Sequence, residues 1–266
     1  MLVMSFTLSS LTASLTASPL NLARRILQLL VGLFLYGFAI ALMIRGGIGV
    51  PPWDVLTQGI ALQTGWAFGL LTNLIGAIVL LLWIPIRQKP GVGTVLNVLL
   101  IGPSIEVGLL LVPAQDALPL QILLFAGGLA LLAVASGLYL GARMGPGPRD
   151  GLMTGINRRW GWRIWIVRTA IEASVLSIGW LLGGNVGLGT LAFALLIGPM
   201  VGFTMPLLRV PEVRRAGRGG RESGAGADAA GGAAGAGAAG AGAYVAGPAG
   251  TPSRPDTRPI PLTMHP

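Results

Sequence analysis

The sequence predicts an all-α polytopic membrane protein: six transmembrane helices arranged as two inverted three-helix repeats, each with a Gly/Pro–Asp linker opening a short helix. Three observations carry this. Over half of the 266 residues are apolar and only 10% are charged, where a soluble domain would carry roughly a quarter. The apolar residues fall into runs of about 20, the length that crosses a bilayer at 1.5 Å per residue. The chain also matches itself at one constant offset.

The six runs are Ile26–Ile44, Trp66–Ile86, Val92–Val112, Leu118–Gly141, Ile164–Leu182 and Gly187–Leu208. Trp66, Trp83, Trp162, Trp165 and Trp180 lie near run ends, where an amphipathic ring favours the headgroup level. Residues 1–23 read as a loose N-terminal extension, because Arg24 and Arg25 come after the weakly apolar stretch, whereas a secretory signal needs positive charge ahead of it. Residues 24–208 form the membrane domain. Residues 209–266 turn Arg-rich, then Gly/Ala-rich, then Pro-rich, a composition that predicts disorder.

Six spans place the N-terminus, the 87–91 and 142–163 loops and the tail on one face. That face holds Arg24, Arg25, Arg87, Lys89, Arg143, Arg149, Arg158, Arg159, Arg163 and the tail arginines, and the opposite face holds Arg45 alone. The positive-inside rule then predicts cytoplasmic termini.

The self-match places Gly145 on Gly49, an offset of 145 − 49 = 96 residues. At that offset Pro52, Asp54 and Gly59 fall on Pro148, Asp150 and Gly155. Gly65-Trp66 falls on Gly161-Trp162, Gly91, Gly93 and Thr94 fall on Gly187, Gly189 and Thr190, and Leu99–Pro103 falls on Leu195–Pro199. The repeats cover 26–112 and 118–208. Each crosses three times, so the second begins on the side opposite the first, an arrangement common in secondary transporters. Within each linker, Gly and Pro stop one helix, and Asp54 and Asp150 are expected to cap the next, re-entrant or interfacial.

The segments GIGVPPWDVLTQGI, RMGPGPRDGLMTGI, Val167-Arg168-Glu172 (V-R-x-x-x-E) and GLGTLAFALLIGP resemble the YczE/YitT-like family of bacterial integral membrane proteins, over about residues 24–208 and closer to its YczE branch. The resemblance implies a multi-span inner, or plasma, membrane protein. It implies no substrate.

The candidate substrate- or ion-binding residues are the intramembrane and linker charges, Asp54, Asp150, Arg149, Glu106, Arg168 and Glu172. Ionisable groups in a membrane are costly to bury and functional by default. Asp54 and Asp150 are read either as cation or proton ligands facing each other or as helix caps. Arg149 is read as an anion contact or as a positive-inside anchor. Arg168 and Glu172 stand four apart, as an i,i+4 pair or as a substrate contact. Glu106 has no charged neighbour on its helix and needs a cation, for which Arg168 is a candidate, or a proton. Asn73 and Asn97 are expected to bridge helices, and the glycines at 91, 93, 187 and 189 to permit close packing.

There is no Cys, and the only His is His265. No catalytic constellation, metal site or cofactor is expected, and the protein is read as not an enzyme. The +9 charge sits in loops and tail, without the aromatic-interleaved groove of a nucleic-acid binder. The expected partners are the lipid bilayer and a small solute or ion, with oligomeric state open. The leading function is a secondary transporter or permease for a small solute, and the alternative is a non-transporting membrane accessory or scaffold.

Overall fold

A computed structural model describes residues 19–208, and the side chains from residue 21 onward. The disordered-tail expectation for 209–266 and most of the N-terminal extension lie outside the described residues. The described chain is all-helical: α1 Pro19–Gly46, α2 Pro52–Thr64, α3 Phe68–Leu81, α4 Val92–Leu111, α5 Leu118–Gly141, α6 Pro148–Trp160, α7 Ile164–Leu181 and α8 Leu188–Leu208. Residues 19–23, expected in the extension, already belong to α1.

Five helices, α1, α4, α5, α7 and α8, are long and apolar enough to cross a membrane. A sixth crossing requires α2 and α3 together, and these bend by 119° at their junction. The expected continuous span Trp66–Ile86 is therefore corrected. Its helix stops at Leu81, and residues 82–87 form turns in which Trp83 N–H bonds Leu80 O and Ile84 N–H bonds Leu81 O. Pro85 is the local reason, since its ring would strike the carbonyl of Leu81 and it has no N–H to donate.

α1 and α5 pack along their length at the centre, α4 lies on α1 and α8 on α5, while α2 packs on α7 and α3 on α4 and α6. The core takes the same order, with Leu29, Leu33, Ile40, Leu129 and Leu132 buried between α1 and α5 and Ile105 and Val201 closing it from α4 and α8. Outward faces are apolar too: Leu110, Leu181 and Leu188 are each over 80% exposed. That surface suits lipid and not water.

Contacts recur at the 96-residue offset. Gly93 N–H bonds Met144 O, and Gly189 N–H bonds Ile48 O, both at 2.8 Å. The Thr94 hydroxyl donates to Pro146 O at 2.7 Å and the Thr190 hydroxyl to Val50 O at 2.9 Å. Gly49 (φ 121°) and Gly145 (φ 129°) occupy the left-handed side of φ, and a Cβ on either would crowd the opposing threonine. Helices α2 and α6 have 13 residues each and both end on a left-handed glycine, Gly65 and Gly161, at φ 73°. The small residues expected to permit close packing thus serve that role: each linker seats on the first turn of the other half's last helix.

One seam has no counterpart. Between α3 and α4, the Asn73 side chain accepts from Gly102 N–H at 2.9 Å and donates to Leu99 O at 3.3 Å. Between α7 and α8, the equivalent pair, no comparable seam forms.

Candidate functional site

Proline occupies the first position of both linker helices, Pro52 and Pro148, so each helix starts two residues before its aspartate. Proline is favoured there because its fixed φ suits the helix and the missing N–H has no intrahelical acceptor to lose. Asp54 and Asp150 are consequently third residues of the first turn. Neither helix has a side-chain cap hydrogen bond. The expectation that these aspartates cap the helices is thus corrected: proline moves the helix start.

Freed from capping, both carboxylates turn to one partly open cavity of about 100 Å³ between the helices, to which all eight contribute. Asp54 is 1% exposed, and its Oδ1 has no hydrogen-bond partner among the described residues. Asp150 Oδ2 accepts the Tyr139 hydroxyl at 3.2 Å, and that hydroxyl accepts Gly147 N–H at 3.1 Å. Arg149, which the positive-inside rule alone would put at the membrane surface, reaches into the same cavity and stacks over Trp53, 4.8 Å from the ring centroid. That contact ties the first turns of α2 and α6 together through a cation–π interaction.

Arg168 and Glu172 form the expected i,i+4 ion pair, Nε to Oε1 at 2.9 Å, on the cavity wall contributed by α7. The cavity therefore gathers three carboxylates (Asp54, Asp150, Glu172) and two guanidiniums (Arg149, Arg168). Five of the six candidate residues come together.

Glu106 does not join them. Its Oε1 accepts Gly69 N–H in the first turn of α3 at 2.6 Å, so it ties α4 to α3 instead of meeting Arg168. Asn73 bridges helices as expected, whereas Asn97, given the same role, lines the cavity. Trp83 also departs from expectation. It is 1% exposed and donates its indole N–H to Pro148 O at 3.0 Å, so its ring is buried in the protein and does not face headgroups.

Tyr36 and Tyr139 are members of the site that hydropathy and charge do not single out. Their rings meet edge to face with centroids 6.0 Å apart, and the Tyr36 hydroxyl lies in the electrostatic field of Asp54, Asp150, Arg149 and Arg168 together. A signal exists in the sequence for Tyr36, which sits in the middle of an apolar run, away from the interfacial belts where tyrosine is usual. Among the described residues, no cluster of three His, Cys, Asp or Glu is arranged to hold a metal ion.

Residues 23–206 match the model of DUF6198, described as a family of unknown function. An "Uncharacterized protein" of Haemophilus influenzae is 39% identical over 186 residues, covering 70% of this chain and 85% of its own length. The "Uncharacterized membrane protein YczE" of Bacillus subtilis is 33% identical over 177 residues, 66% of this chain and 82% of its own. The "Uncharacterized protein YyaS" of the same organism is 27% identical over 182 residues, 67% and 90% of the two chains. No solved structure matches.

Proposed function

The chain belongs to the DUF6198 family and is a multi-pass membrane protein, and from that premise we propose that it is a secondary transporter for a small solute. The observation that carries the proposal is the charged cavity. Three carboxylates and two guanidiniums face one cavity between apolar helices, at a cost that a purely structural bundle has no reason to bear.

The same proposal includes the internal symmetry. The 96-residue sequence match, the reciprocal linker contacts and the paired 13-residue helices support two inverted repeats, with the solute site between them and α2 and α6 as broken, re-entrant elements. Six crossings with both termini cytoplasmic complete it, supported by the arginine distribution.

The test is flux. Purified full-length protein in proteoliposomes is presented with a panel of small amines, carboxylates, amino acids and sugars. Saturable solute-dependent flux that disappears in Asp150→Asn is expected. A folded protein inert to the whole panel, with Asp54→Asn and Asp150→Asn both complementing a deletion strain, supports the accessory or scaffold reading instead.

A further inference from the structure

Arg149 and Asp54 share one cavity without forming an ion pair with each other. Arg149 stacks on Trp53, and among the described residues no ion pair or hydrogen bond joins its guanidinium to a carboxylate. The Asp54 carboxylate is 1% exposed, with Oδ1 unpartnered. Asp54 is buried and Arg149 half-buried, within electrostatic reach of each other but without a contact, and a buried carboxylate oxygen lacking a contact partner is costly. Elsewhere on the wall Glu172 is paired with Arg168, and Asp150 accepts the Tyr139 hydroxyl in the field of both arginines.

We propose that the cavity binds a small amino-acid-like zwitterion, with its carboxylate on Arg149 and its ammonium on Asp54. A guanidinium is the side chain suited to hold a carboxylate. The first turns of α2 and α6 also converge there, and helix N-termini favour the anionic end of a solute. An ammonium satisfies a buried carboxylate oxygen through a charge-assisted hydrogen bond. A zwitterion answers both charges and adds no net charge to the membrane interior. At about 100 Å³ the cavity suits a solute of a few non-hydrogen atoms. The aliphatic side chains of Ile40 and Leu132 line the remainder together with the polar ones of Thr72, Asn97 and Ser136, which leaves room for a short side chain.

The assignment of a zwitterion rests on the transport reading only for the steps after binding, so its test is an equilibrium one. Purified full-length protein is titrated calorimetrically, and by thermal shift, with glycine and L-alanine. Ethylammonium chloride and sodium propionate, each carrying one half of the zwitterion, are titrated at matched ionic strength. The expected result is saturable binding of glycine or alanine, with each half roughly tenfold weaker or worse. Asp54→Asn should abolish the preference over propionate, and Arg149→Gln the preference over ethylammonium. Zwitterions binding no better than their halves to the wild-type protein overturn the assignment, as do unchanged preferences in both variants. Zwitterion binding without flux leaves the assignment standing and removes transport. Flux of another solute class without zwitterion preference does the opposite.

Discussion

The indole N–H of Trp83 donates to the carbonyl of Pro148 at 3.0 Å, and the ring lies where a Cβ on Gly151 would be. The turn after α3 is thereby pinned to the first turn of α6, next to Arg149 and Asp150.

Gly151→Ala should overpack this contact and cost roughly 1–3 kcal/mol. Trp83→Phe should cost roughly 1 kcal/mol for the hydrogen bond while keeping most of the packing. Thermal unfolding in detergent measures both. A wild-type melting temperature for Gly151→Ala would mean that α6 and the turn are not in contact.

Because Asp54 makes no cap hydrogen bond, Asp54→Asn should leave thermal stability unchanged or raise it, since a buried charge with an unpartnered oxygen is removed. Flux should fall at least tenfold if that charge serves the solute. If Asp54 did cap α2, Asn would be tolerated and Ala would cost roughly 1 kcal/mol. Comparing Asn and Ala in one melting series separates the two cases.

Glu106→Ala removes the acceptor of Gly69 N–H and should destabilise the protein by roughly 1–3 kcal/mol. Glu106→Gln keeps an acceptor and should recover most of that loss. Neither change touches the cavity, so the Gln variant should transport at the wild-type rate. Loss of flux in a stable Gln variant would bring Glu106 back as a solute or proton ligand.

Reporter fusions at Gln115 and Asn185 should read as outside the cytoplasm, and fusions at Lys89 and Arg158 as inside, because the arginines concentrate on one side of a six-crossing arrangement. The opposite sign at any of the four positions rejects the arrangement.

The long helices are legible in the sequence because each is an apolar run of membrane length. The bounds of α5, Leu118–Gly141, match the run residue for residue. The break after Leu81 is not legible, because apolar residues continue through Ile86 and only Pro85 betrays it. The charged members of the site are visible as charges in apolar surroundings. Their grouping is not, since it depends on how α2 and α6 turn inward. Arg149 resembles a surface anchor for that reason. Tyr139 does not stand out, because a neutral polar residue near a run end disturbs hydropathy too little, and Asn97 is visible as a polar residue but not as part of the cavity wall.

The seam between α3 and α4 has a bearing on energetics. At the 96-residue offset, Gly202 stands where Glu106 is, Thr169 where Asn73 is, and Trp165 where Gly69 is. At those positions the α7–α8 pair therefore has neither the carboxylate nor the amide with which to copy the clasp, and a bulky indole in place of the close glycine. A working cycle in which the two halves trade conformations would not be isoenergetic: closing α7 on α8 would gain less than opening α3 from α4 loses. Under the transport proposal such a cycle would have a preferred resting side, and a bound solute would have to supply the difference.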